Sequence, residues 1–233
     1  MTKHLKLLLI TIALLTTAPS AFADAGKEAF DKGNHAIANN HGRETIKKWF
    51  KIGAEAGHPG AQIAYGDSIF NRRYRNTHDE ANYWYQKGLA GYKRLVQAGD
   101  VDAKLALAAI YEYARAGLLK SEENRKKGFD LYMQAANSGN AVAQTIIGDY
   151  YSDGLFVVKR DYAEAIKWYK KAIKGGNIDA VNSLGFMYLR GRGVKMNLPK
   201  AAKLFRKAAL EGSVAAQNNL RDMYENHPYL FPK

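Results

Sequence analysis

Along this chain apolar and small residues return at steps of four inside segments bounded by glycine, and the segments themselves return. Ala61, Ala103, Ala143, Ala180 and Ala216 form one column; Tyr65, Leu107, Ile147, Leu184 and Leu220 lie four residues on; Ile69, Tyr111, Tyr151, Tyr188 and Tyr224 lie four beyond those. Such spacing places the three columns on one face of a helix. Ahead of each stands a glycine, Gly57, Gly99, Gly139, Gly176 or Gly212, at intervals of 42, 40, 37 and 36 residues. The following residue is His58, Asp100, Asn140, Asn177 or Ser213; four of these are favoured helix N-caps, and the exception, His58, precedes a Pro59 suited to the first helical position. The pattern predicts one helix closed by a left-handed glycine and a second starting at once.

The helix before each glycine carries a bulky pair seven and eight residues upstream: Trp49-Phe50, Leu131-Tyr132, Trp168-Tyr169 and Leu204-Phe205. In the second copy the pair, Trp84-Tyr85, is seven residues further away, about two helical turns, which predicts a longer helix from roughly Asp79 to Ala98. Small residues stand beside the second column at Gly66, Ala108, Gly148 and Gly185, with Arg221 in the last copy. Because small residues lower helix propensity, their recurrence predicts close helix approach, and Arg221 a terminal helix without that neighbour. Loops such as Gly154-Leu-Phe-Val157 and Gly191-Arg-Gly-Val194 join successive pairs.

Repetition on this scale implies stacked helix pairs that bury their faces only against neighbours. The motif Ala180…Leu184-Gly185…Tyr188…Gly191-Arg-Gly193-Val194, followed by Lys200-Ala201…Leu204-Phe205…Lys207-Ala208-Ala209…Gly212, resembles the Sel-one-like repeat family, relatives of the tetratricopeptide repeats. The likeness runs from about residue 43 to 225, with a leading helix at Lys27 to Ile37; copies before Gly139 lack the Gly-x-Gly loop. The resemblance implies an all-α, right-handed α-solenoid of antiparallel helix pairs with a concave surface for protein or peptide partners. The expected organisation is 1–23 signal peptide, 24–226 solenoid of about five helix pairs plus a terminal helix, and 227–233 C-terminal tail.

The signal-peptide expectation rests on Lys3, His4 and Lys6 before the apolar run LLLITIALL and the small-residue triplet Ala21-Phe22-Ala23. The run is shorter than the ~20 residues a permanent membrane helix needs. Cleavage there predicts a periplasmic or secreted product. The chain has no cysteine, which removes disulfides, thiolate metal sites and cysteine nucleophiles. Its formal charge is +13, and loss of Lys3 and Lys6 leaves +11. A basic exported protein suits an acidic protein, anionic lipid or cell-wall polymer; nucleic acid is not expected in that compartment.

The resemblance implies that the glycine-following helices line the concave side; since the basic residues concentrate on the helices that precede the glycines, a neutral to mildly acidic groove inside a basic outer face is expected. Candidate groove residues are Ile63, Asp67, Leu105, Ala109, Thr145, Asp149, Asn182, Phe186, Asn218 and Asp222, at positions two and six after the Ala column and expected to face away from the core. Variation among them fits a recognition surface and an unconstrained one equally, and the apolar Ile63, Leu105 and Phe186 favour contact. Charge reversal at Asp149 with Ala at Phe186 is expected to weaken a groove partner and leave the fold intact. The candidate basic face is Lys167, Lys170, Lys171 and Lys174. Tyr and Trp stand at core spacing, which assigns them to packing.

No catalytic chemistry converges. His35, His41, His58, His78 and His227 are scattered without the spacing of a helical zinc motif, and neither a nucleophile elbow nor a phosphate loop is present. No metal or cofactor is expected. The leading function is an exported interaction module, a periplasmic adaptor or scaffold. The alternatives that the resemblance implies are an immunity protein against a secreted phospholipase-type toxin and a secreted host-interaction factor.

Overall fold

The computed structural model describes residues 24–70, 76–112, 121–155 and 157–228. The expected signal peptide, 1–23, and residues 229–233 of the tail lie outside them. The described residues form eleven helices and no strands: α1 (24–38), α2 (Arg43–Glu55), α3 (Pro59–Ile69), α4 (Asn76–Gln97), α5 (Val101–Glu112), α6 (Glu122–Asn137), α7 (Ala141–Asp153), α8 (Tyr162–Lys174), α9 (Ile178–Arg190), α10 (Leu198–Leu210) and α11 (Val214–Asn226). The long second-copy helix is α4. The chain divides into two compact units, with the boundary inside α5 between Ala106 and Leu107.

One turn is built five times. Gly57, Gly99, Gly139, Gly176 and Gly212 have φ of 89°, 91°, 93°, 84° and 98°, the left-handed region that favours glycine. The residue after each glycine donates its backbone N–H back to the helix just ended; Asn177 reaches the Ala172 carbonyl at 3.0 Å and Ser213 that of Ala208 at 2.9 Å. Its side chain then accepts from the third residue of the next helix: Asp100 from Ala103, Asn140 from Ala143 and Asn177 from Ala180, each at 2.9 Å, and Ser213 from Ala216 at 3.3 Å. Two sets of otherwise orphaned groups are satisfied at one point. His58, the expected exception, also caps: its Nδ1 accepts from the Ala61 N–H at 3.2 Å. A ring nitrogen is not on the usual list of caps, so pattern reading passed over it.

The small-residue column is a helix–helix seam. A Cβ on Gly66 would stand 2.5 Å from Tyr85, on Gly148 2.5 Å from Tyr169, and on Gly185 2.7 Å from Phe205, in each case the aromatic of the following helix. Gly33 of α1 meets Phe50 of α2 in the same way, which makes α1 and α2 a further copy of the pair. Where the column has Ala108, the glycine moves to the opposing helix: a Cβ on Gly128 would lie 2.9 Å from the Ala108 carbonyl. Arg221, at the last column position, is exposed. Around these seams lie the cores, with Phe50, Ala54, Ala61 and Tyr65 clustered in the first unit and Ala165, Ile166, Tyr169, Ala172, Ala180, Leu184 and Met187 in the second.

Candidate partner-binding cleft

The seam sets up the chemistry next to it. In two copies the residue after the column glycine is an aspartate and the opposing aromatic a tyrosine, and the two bond: Tyr85 Oη donates to Asp67 Oδ1 at 3.0 Å and Tyr169 Oη to Asp149 Oδ1 at 2.8 Å. In the copy with Gly185 both are phenylalanine, and Phe186 packs beside the cluster that holds Phe205. In the Ala108 copy, Glu112 accepts from both Tyr132 (3.2 Å) and Tyr150 (2.8 Å), joining α5, α6 and α7.

In the second unit, α7 and α9 stand side by side with Tyr169 of α8 between them, leaving a cleft of about 160 Å³. Its walls include Asp149, Ser152 and Asp153 of α7, Asn182 and Phe186 of α9, and Arg192 of the loop after α9. The Arg192 guanidinium lies 5.3 Å from the Phe186 ring centre and 5.6 Å from that of Tyr162, and Arg190 lies 5.4 Å from Phe186. Arginine is thus held on aromatic faces, by a cation–π attraction that desolvation strengthens. Asn182 accepts from the Asn219 amide at 2.9 Å, tying α9 to α11.

Asp149 is the electrostatic centre. Burial, together with the negative charges of Asp153 and Asp179, raises its pKa from the ordinary 3.8 to about 6, while the hydrogen bond from Tyr169 pulls the other way. Burial and the same carboxylate push the Tyr169 hydroxyl well above its usual value. Among the described residues no basic side chain pairs with Asp149, Asp153 or Asp179. Desolvating a carboxylate without a counter-ion raises its pKa by favouring the neutral form.

The sequence-derived groove residues divide. Asp149, Asn182 and Phe186 come together in the cleft. Asp67, Asn218 and Asp222 are exposed outside it; Leu105 and Ala109 are half-buried. Ile63 and Thr145 correct the expectation that position two faces away from the core, being only 3 % and 6 % exposed. Ile63 meets the following helix, its Cδ1 2.7 Å from where a Cβ on Gly88 of α4 would sit, and Thr145 turns its hydroxyl onto the Ala141 carbonyl of its own helix at 2.9 Å. Asp149 is also less free than pattern suggests, since its bond to Tyr169 makes charge reversal there a change to the fold. Sequence reading missed Asp153 and Arg192, which lie outside the nine-residue motif; the sequence signal for Asp153 was its place one helical turn after Asp149.

The basic face is present as side chains on the exposed surface of α8. Lys167 pairs with Glu164 at 2.8 Å and Lys171 lies 3.9 Å from the Trp168 ring centre, while Lys170 and Lys174 have no partner among the described residues. Among the described residues no group of three or more His, Asp or Glu could hold a metal ion, and no helix is long and apolar enough to cross a membrane.

Five glycine-capped turns and glycine-aromatic seams define an all-α protein of the helix-pair repeat class. The particular family follows from comparison: the Sel1 repeat matches residues 60–91, 101–140, 141–177 and 178–213, more than half of the chain, and the protein belongs to the Sel1 repeat family. Human protein sel-1 homolog 2 is 35 % identical over 142 residues, covering 54 % of this chain and 20 % of the relative. The ERAD-associated E3 ubiquitin-protein ligase component HRD3B of Arabidopsis thaliana is 34 % identical over 114 residues, 48 % of this chain and 18 % of its own. The chain therefore spans about one fifth of the length of these curated relatives. Among solved structures, a Sel1 repeat protein from Oxalobacter formigenes superposes with a TM-score of 0.51 at 28 % identity, over 80 % of this chain and 51 % of that one. A protective antigen of uropathogenic Escherichia coli strains, with an SLR fold, gives 0.50 at 28 % identity, over 85 % and 41 %. The chain is a helical-repeat module of the kind that binds other proteins.

Proposed function

We infer that this protein is an exported adaptor that binds a protein or peptide partner across the α7–α9 face. The observation that carries the reading is the cleft between those helices, where a partly buried carboxylate without a basic partner, an aromatic ring and the Arg192 guanidinium over that ring share one surface. Uncompensated polar groups beside an aromatic are what a partner can complete. Export is supported by the basic, apolar and small-residue order of the first 23 residues.

The test is capture of partners by the chain from periplasmic and culture fractions, with mass spectrometry of what stays bound, for the wild type and for Phe186→Ala combined with Asp153→Asn. Both changes keep the Asp149–Tyr169 bond, and circular dichroism checks the fold. A protein held in stoichiometric amount by the wild type and lost from the variant supports the reading; equal retention by both sinks it. Retention that ignores the variant but disappears at raised salt would move the contact to Lys167, Lys170, Lys171 and Lys174. Mass measurement of the periplasmic product tests export, with Asp24 as the expected first residue.

A further inference from the structure

At about 160 Å³ the cleft is well below the roughly 300–1,000 Å³ of ordinary small-molecule pockets. It has room for one side chain. Its floor is polar: Ser152 is 7 % exposed, and its hydroxyl lies within hydrogen-bonding reach of the Tyr169 hydroxyl and 3.9 Å from the Met187 thioether, leaving its oxygen lone pairs as acceptors. Asp149 uses Oδ1 for Tyr169, and no other side chain among the described residues bonds to its carboxylate. The Asp153 carboxylate, on the same helix and at the mouth, forms no ion pair among the described residues, the Arg160 guanidinium beside it bonding its backbone carbonyl at 3.1 Å. This is notable in a chain of net charge +13, and Arg192, which lines the same cleft, lies over Phe186 and Tyr162.

We propose that the α7–α9 cleft is a receptor for a single basic side chain, a lysine or arginine of the partner, with Asp149 and Asp153 as its counter-ions and Ser152 and Asn182 as neutral hydrogen-bonding walls. This deepens, and rests on, the reading of that face as the binding surface. An ammonium carries only donors, whereas two carboxylates, a hydroxyl and the second lone pair of the Asn182 amide oxygen, whose first accepts from Asn219, offer acceptors. An incoming carboxylate would meet Asp149 and Asp153, which outnumber Arg192 in the lining, and is disfavoured. The groups around Asp149 also set a pH dependence: Asp153 faces it from α7, Tyr169 from α8, Asp179 from α9 and Arg192 from the following loop. Asp149 takes up a proton near pH 6, so a cation in the cleft competes with that proton and its affinity falls as pH drops from 7.5 to 5.

The experiment is titration of the ¹⁵N-labelled chain with N-acetyl-lysine methylamide and, as a control of similar shape without the ammonium, N-acetyl-norleucine methylamide. Expected are saturable amide shifts confined to α7, α9 and the Arg192 loop with the lysine compound alone, weaker at pH 5, and weakened roughly threefold to fivefold by Asp153→Asn. Equal shifts with norleucine, no localised shifts with lysine, or indifference to Asp153→Asn would each overturn the proposal. Failure here beside loss of the captured partner in the cleft variant would leave the adaptor reading standing with a different ligand chemistry. Lysine binding beside partner retention by that variant would refute the adaptor reading and leave the cleft a cation site.

Discussion

Replacement of Gly148 by alanine puts the seam to a quantitative test. On an ordinary helix the change gains about 1 kcal/mol, because alanine has the higher propensity. Here the new Cβ would stand 2.5 Å from Tyr169 Cε1, 2.6 Å from Cδ1 and 3.2 Å from Cζ, inside van der Waals contact. The ring is 2 % exposed and its hydroxyl is tethered to Asp149 at 2.8 Å, so moving aside costs both packing and that bond. Overpacking costs about 1–3 kcal/mol and a hydrogen bond to a charged acceptor about 1.5–3 kcal/mol. Set against the propensity gain, the net loss is about 1.5–5 kcal/mol if the tether breaks and about 0–2 kcal/mol if the backbones part instead. Urea unfolding followed by circular dichroism measures the loss, and amide exchange in α7 and α8 locates it. Tyr169→Phe in the same background releases the ring, so the double variant should lose less than the sum of the singles. A Gly148→Ala protein more stable than the wild type would refute the close approach on which the seam argument rests.

Other expectations follow from single residues. Asp149→Asn keeps an acceptor for Tyr169 and removes the charge that the fold disfavours. With the folded pKa raised to about 6, the wild-type contribution is fully present below pH ~4 and is lost as pH rises through 6. Between pH 4 and 7.5 the variant should gain on the wild type by up to about 3 kcal/mol in unfolding free energy, and parallel pH profiles would contradict this. His58 behaves oppositely: burial lowers its pKa, so its capping contribution is present above pH ~6.5 and is lost as pH falls through the folded value. His58→Ala should cost about 1 kcal/mol at pH 8 and less at pH 5, read from thermal unfolding. Gly176→Ala meets no atom within 4 Å, so its cost should be the backbone penalty alone, about 1–2 kcal/mol, and a neutral result would remove the left-handed turn.

The fold was legible because its determinants are local and repeated. A glycine at positive φ, a cap beside it and steps of four require no knowledge of distant residues, and the seam announced itself as small residues where propensity disfavours them. The site was harder to read because its partners come from different helices. Nothing near Asp149 in sequence indicates Tyr169, twenty residues on, or that burial would make that carboxylate unlike the exposed Asp222 in the same motif position. Position two was misread at Ile63 and Thr145 for the same reason: a single helix displays its core face, while burial of the next face depends on where the following helix lies.

The seam also carries information about assembly order. A chain of similar helices risks docking a helix on the wrong neighbour, a characteristic failure of repeat proteins. Exchange of α8 with α10 would set a tyrosine hydroxyl against Phe186 and leave Asp149 facing Phe205, losing one hydrogen bond and stranding one carboxylate in a single error. The residue after the column glycine thus acts as an address label that separates the aspartate copies from the phenylalanine copy, and in the Asp149 copy the correct register carries the cost of a partly buried carboxylate to keep α8 and α10 from trading places.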